Sequence, residues 1–144
     1  MFVGEFQHTM DGKGRVVLPA RFRKALETDG CVLTKGQEEC VFVWSSEDWQ
    51  EEAERMKQLP RTDRRFRGYA RSFFSGALPQ GLDGQGRVTV PQNLRSYAGL
   101  EKDLVVVGTG QLIEIWDAER WSEVSAEADD VYANIEEAFS DYGI

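Results

Sequence analysis

The chain has 144 residues, 41% of them apolar and 29% charged, and a formal net charge of −8. That length supports one compact domain, or two very small units that lean on each other, and no apolar run approaches a membrane span. Met1-Phe2-Val3-Gly4-Glu5 lacks the pattern of a signal peptide, and Cys31 and Cys40 lack metal spacing, so they read as reduced thiols of a cytoplasmic protein, with a disulfide as the alternative.

In chain order, Phe2 to Thr9 has extended character and leads into Asp11-Gly12. Asp-Gly between apolar runs signals a hairpin, because glycine accepts the positive φ of a tight turn. Arg15 to Leu18 reads as a strand. Pro19 cannot donate to a ladder but suits the first turn of a helix, here Ala20 to Leu26. Cys31 to Thr34 and Val41 to Trp44 are strands on either side of a turn at Gly36. Ser45 or Ser46 caps a helix that runs from Glu47 and stops before Pro60. Asp63 caps another, on which Phe66, Tyr69, Ala70 and Phe73 share one face, while Arg64, Arg65, Arg67 and Arg71 lie mostly around the rest. The second half repeats the first, with Asp117 as the cap of its helix. At the C-terminus Val131, Ile135, Ala138, Phe139 and Tyr142 form a further amphipathic pattern, with Asp129 or Asp130 as its cap.

Net charge argues against a polyanionic partner until its distribution is read. Asp117 to Ile144 holds nine acids and one base, so that segment carries the whole −8 and residues 1–116 are neutral. Within the neutral body, Glu52 to Ser72 holds seven bases and three acids. Local patches, not net charge, decide where a polyanion docks.

The chain repeats itself. Asp11-Gly12-Lys13-Gly14-Arg15-Val16-Val17-Leu18-Pro19 returns 72 residues later as Asp83-Gly84-Gln85-Gly86-Arg87-Val88-Thr89-Val90-Pro91. The register extends without a gap to Phe2 and Phe74, Gly4 and Gly76, Arg23 and Arg95, Gly36 and Gly108, Trp44 and Trp116, and Trp49 and Trp121. The organisation is then a first repeat over residues 1–60, an Arg-rich linker helix over 61–72, a second repeat over 73–128 and an acidic C-terminal helix over 129–144. Each unit reads ββ, short helix, ββ, helix, which buries little apolar surface alone. The expected fold is α+β, mostly β, with both units sharing one barrel-like core.

The repeated Asp-Gly-x-Gly-Arg loop is the candidate site. Its glycines allow tight turning and close approach of a partner. Asp11 and Asp83 can fix the turn through backbone amides two residues on, or pair with Arg15 and Arg87 and orient them. Each arginine offers a planar fork suited to phosphate or to guanine O6 and N7. Lys13 adds charge at the first tip, and Gln85 replaces it at the second. The competing reading is that both Asp–Arg pairs are internal and only hold the turn. Duplication in register and the lack of a catalytic constellation favour the binding reading.

With these residues in view, the two nine-residue stretches, with Arg23 and Tyr97-Ala98-Gly99-Leu100, resemble the MraZ family over essentially the full length. That family is similar to the SpoVT/AbrB superfamily of swapped-hairpin DNA-binding proteins. The resemblance implies a tandem, pseudo-dimeric barrel of the double-psi or swapped-hairpin type. It implies ring homo-oligomers of about eight to twelve subunits, a multivalent arrangement. It also implies a transcriptional regulator at the nucleoid that binds double-stranded promoter DNA at repeated short boxes before its own gene, which heads a cell-division and cell-wall cluster. Carried over by residue, the DNA-binding set is Lys13, Arg15, Arg87, Arg21, Arg23 and Gln85. Asp11, Gly12, Gly14, Pro19, Asp83, Gly84, Gly86 and Pro91 build the turns. No enzyme activity, cofactor, metal or small-molecule substrate is expected.

Other features take plainer readings. His8, the lone histidine, has Gln80 as its counterpart and reads as a surface or turn residue. The four tryptophans read as packing between strand ends and helix starts. The rival function is a protein-interaction or antitoxin-like module on the same fold, with the acidic C-terminal segment occupying a partner groove.

Overall fold

A computed structural model describes residues 1–144. The first repeat contains β1 (Phe2–Thr9), β2 (Arg15–Val17), α1 (Ala20–Leu26), β3 (Cys31–Lys35), β4 (Val41–Ser45) and α2 (Ser46–Met56). After α3 (Arg64–Ser75) the second repeat follows with β5 (Leu78–Gln80), β6 (Arg87–Thr89), α4 (Gln92–Ala98), β7 (Asp103–Gly110), β8 (Ile113–Asp117) and α5 (Ala118–Ala133), and α6 (Glu136–Asp141) ends the chain. The fold is α+β and mostly antiparallel strands, in a two-repeat swapped-hairpin arrangement.

Strand pairing departs from the local hairpin expectation. Asp11-Gly12 does turn the chain, but β1 and β2 meet only at the Met10–Val16 bridge. β1 pairs along its whole length with β7, and β2 pairs with β6, so each arm of the turn goes to the other repeat. The large sheet has the order β1-β7-β8-β4-β3-β5, which reads the same from either end once the repeats are exchanged. A pseudo-twofold axis explains this. It passes through the pair Val16–Val88 and through the pair Phe42–Glu114, each a residue facing its own counterpart. A hairpin signal is a statement about the turn; the partner is chosen by where Val16 and Val88, both fully buried, find a common core.

That core obeys the same axis. Phe22 and Leu26 of α1 match Leu94 and Ala98 of α4, and Leu18 matches Val90. Symmetry fails at the outer strands. Phe2 and Phe6 reach the core and meet the Phe22 ring edge-on at 5.4 Å each. Their counterparts diverge, because Phe74 ends α3 and β5 is only three residues around Pro79.

Helix caps follow sequence chemistry. Ser45 Oγ accepts from the Asp48 amide, Asp63 from Arg65 and Asp117 from Arg120. Asp129 and Asp130 do not cap anything: α5 runs straight through them to Ala133, and α6 starts after Ile135. No glycine or proline interrupts 118–133, and its alanines favour continuation. Trp44 and Trp116 are buried, and Trp49 stacks on Phe73 to seat α3 on α2. Both cysteines are buried free thiols, with Cys31 pushed up to about 11 by burial.

The β3–β4 turn carries avoidable strain. Glu38 and Glu39 both hold positive φ, 65° and 63°. Left-handed backbone costs a residue with a Cβ about 1 kcal/mol or more, and Asn and Gly tolerate it better. Combining Glu38→Asn with Glu39→Gly is expected to raise unfolding stability by about 1 kcal/mol, read from a denaturant midpoint at unchanged slope.

Candidate nucleic-acid interface

Each motif loop is a closed hydrogen-bonded unit. The Asp11 amide donates to the Arg15 carbonyl at 3.0 Å, and the Gly14 amide donates back to the Asp11 carbonyl at 3.0 Å. Asp11 Oδ1 accepts from the Lys13 and Arg15 amides, both at 2.9 Å, and Oδ2 accepts from Arg15 Nε at 2.6 Å. The second loop repeats this geometry: Asp83 Oδ1 takes the Gln85 and Arg87 amides at 2.9 Å, and Oδ2 takes Arg87 Nε at 2.7 Å. The aspartate therefore does both things left open by the sequence: it fixes the turn and orients the arginine.

Pairing through Nε leaves the distal edge of each guanidinium without a hydrogen-bond partner in the chain. Arg15 faces Thr89 and Arg87 faces Val17 in the β2–β6 ribbon. Strand alternation puts these four side chains on one outer face, opposite the buried Val16 and Val88. Arg87 Nη1 lies 4.0 Å from Asp11 Oδ2, so the two arginines belong to one patch. The tips, Lys13 and Gln85, are exposed on either side of it.

Hydrogen bonds from the Arg15 amide and side chain hold the Asp11 carboxyl at about 2, well below the usual carboxylate range. A depressed folded value means the turn keeps its stabilising charge above the unfolded pKa and loses it as pH falls through the folded one. An NMR titration of the Asp11 carboxyl is expected to show its midpoint near 2 rather than at the 3.8 of an unperturbed aspartate, with the loop intact throughout the neutral range.

The two glycines of each motif do different jobs. Gly14 and Gly86 have φ of +79° and +73°, and a Cβ there would press on packed atoms. At Gly14 these belong to Arg95 and the Val90 carbonyl; at Gly86 they belong to Arg23. Each loop is thus clasped by the arginine of the other repeat's helix, and the Gly14 and Gly86 carbonyls accept the Val90 and Leu18 amides. Gly12 and Gly84 have nothing within 4 Å of such a Cβ, so they leave the tips bare for close approach.

This geometry sorts the remaining candidates. Arg23 is half-buried, with Nε donating to the Leu18 carbonyl at 2.7 Å, so it sits in the clasp rather than beside Arg15 on the outer face. Arg21 is exposed and lies over the Phe6 ring at 5.6 Å, and its counterpart Asn93 is also exposed. Pro19 and Pro91 stand at the N-caps of α1 and α4. Arg95 is the residue that the sequence reading leaves out, although its register with Arg23 is the signal for it. Its Nη2 donates to Gln92 at 2.9 Å and its buried Nε has no partner. No three His, Cys, Asp or Glu side chains converge to hold a metal ion. No helix is long and apolar enough to cross a membrane.

Comparison with known proteins places this architecture. The family model described as "MraZ protein, putative antitoxin-like" matches residues 1–71 and again 73–141. The chain is 44% identical over 144 residues, all of both chains, to a protein of Natranaerobius thermophilus named transcriptional regulator MraZ. It is 50% identical over 137 residues, 95% of each chain, to one of Leifsonia xyli subsp. xyli with that name, and 42% identical over its whole length to one of Alkaliphilus metalliredigens. Full-length similarity at these identities, and a family match that falls twice along a duplicated chain, show that it belongs to the MraZ family.

Proposed function

We propose that the chain is a sequence-specific DNA-binding regulator of transcription and not an enzyme. The observation that carries this is the shared outer face of the β2–β6 ribbon, where two oriented arginine forks stand between two bare loop tips. A two-stranded ribbon fits the major groove, and a guanidinium fork matches guanine O6 and N7 or a phosphate. Arg15 and Arg87 read or grip DNA, Lys13 adds attraction at the first tip and Gln85 a neutral donor and acceptor at the second. Arg21 sits where a flanking phosphate contact is open to it, and Arg23 and Arg95 position the loops. The names of the relatives, transcriptional regulators throughout, support the same reading.

On this reading the chain works in the cytoplasm at the nucleoid, as a ring of about eight to twelve copies, and linked weak contacts add up through effective concentration. Its target is repeated short boxes in the promoter of its own cell-division and cell-wall gene cluster. An interaction or antitoxin-like module is the second reading, favoured by the unburied apolar residues of α5 and α6. Fluorescence anisotropy decides between them, using duplex from upstream of the protein's own gene and a scrambled duplex across a salt series. The regulator prefers the native duplex, and its affinity falls steeply with salt, by a slope of about 0.9 per phosphate contacted. Equal binding to both duplexes, or none, would overturn it.

A further inference from the structure

Helix α5 outruns the body that supports it. Ala118, Trp121 and Val124 pack against the cluster of Cys40, Val105, Val107 and Trp116. From Ala126 to the end, every residue but Ile135 is exposed. The last turns of α5 and all of α6 form an arm whose Val131 and Phe139 stay 59% and 45% exposed. Asp130, Glu137 and Asp141 line the same concave side as Val131 and Ile135. An amphipathic helix gains its stability by burying its apolar face, and this face is covered only in part within its own chain, at Ile135 and Phe139.

A surface of the opposite sign lies elsewhere. Between the end of α2 and α3 runs a groove of about 360 Å³. Leu59, Phe66 and Phe74 contribute apolar surface to it, and Arg61, Arg67 and Arg71 rim it. Arg67 donates one hydrogen bond to the Arg61 carbonyl at 2.9 Å, whereas the Arg61 and Arg71 guanidinium groups bond nothing in the chain.

We propose that the acidic, apolar arm of one copy docks in the arginine-rimmed groove of a second copy. Charge and shape both favour this occupant: an amphipathic helix edged with carboxylates meets an apolar groove edged with arginines. The chain does not fill its own groove. α2 and α5 are counterparts across the pseudo-twofold axis, packed on β3–β4 and β7–β8 respectively. The groove, seated on α2 through the Trp49–Phe73 stack, and the arm therefore project from opposite repeats. An arm that reaches a groove on the next copy gives a heterologous contact, which closes into a ring when the rotation per copy permits. The inference deepens the ring reading above by naming its contact.

The test is sedimentation velocity on the full chain. One variant carries Arg67→Glu and Arg71→Glu, the other Glu137→Lys and Asp141→Lys, and circular dichroism checks that both stay folded. Each alone is expected to lose the large species, with the assembly midpoint rising about a hundredfold. An equimolar mixture is expected to regain it, because each reversed face then meets a complementary one on the other variant. Variants that keep the wild-type size, or a mixture that stays dissociated, overturn the contact while leaving the ring. A wild-type chain that sediments as a monomer overturns both. If the arginine variant keeps its size and only loses DNA affinity, the groove rim serves DNA and the proposal fails.

Discussion

Arg15→Ala is expected to weaken binding to the upstream duplex by about ten- to a hundredfold for each loop engaged, the value of about 1–3 kcal/mol per bidentate contact. In an assembly that sets two or more copies on one promoter the losses multiply, so specific binding disappears into the non-specific background. Arg87→Ala is expected to act in the same direction and less strongly, since Gln85 leaves the second tip without the charge that Lys13 supplies to the first. The informative companion is Asp11→Ala. It removes a negative charge beside two arginines, so simple electrostatics predicts tighter binding. Geometry predicts the reverse, because Asp11 alone ties the Lys13 amide, the Arg15 amide and Arg15 Nε into one unit. Weaker binding by Asp11→Ala, at undiminished salt dependence, assigns the loop's value to pre-organisation. Tighter binding would mean that the arginines act only as mobile charge. The anisotropy salt series separates these outcomes in one set of measurements.

Much of this site is legible in the sequence because its logic is local. An aspartate bonding amides two and four residues on is a short-range event, and Asp11 and Asp83 report it twice. The gap-free register of the repeat likewise exposes the pseudo-twofold design, since Arg23 with Arg95 and Phe22 with Leu94 come out as true spatial counterparts. What escapes is everything decided across the axis. Asp11-Gly12 signals a turn, but nothing in its neighbourhood says that β2 will take β6 as its partner. Arg23 looks like a surface cation on a short helix; only the swap brings it over Gly86, 63 residues away. The same limit explains Asp129 and Asp130. An aspartate pair before an apolar pattern has the composition of a cap, and only an uninterrupted ladder from Ala118 to Ala133 reveals it as helix interior.

Gly108→Ala is expected to be the most damaging single-methyl addition in the chain. Gly108 lies in β7 opposite Gly4 of β1, where β1 folds over its partner. A Cβ on Gly108 would stand 2.4 Å from the Phe2 carbonyl carbon, 2.5 Å from the Val3 nitrogen and 2.7 Å from the Phe2 oxygen. All three are backbone atoms, so no rotamer change relieves the contact. The start of β1 has to lift, and it carries Phe2, which is 5% exposed and packs edge-on against Phe22. Withdrawing that ring resembles a Phe→Ala change in a core, about 3–5 kcal/mol. Against a total stability of about 5–15 kcal/mol this lowers the thermal midpoint by roughly 10 °C or more. Two controls test the route. Gly36→Ala, at the counterpart position, has side-chain atoms as its nearest neighbours, the Cys40 sulfur and the half-buried Phe42 ring, rather than backbone, so its cost is expected to be smaller. Phe2→Ala removes the anchor that holds β1 down, so in that background Gly108→Ala is expected to add little. Full additivity of the two changes would show that the methyl disrupts β7 itself, and a Gly108→Ala protein as stable as the wild type would show that β1 does not need its close crossing.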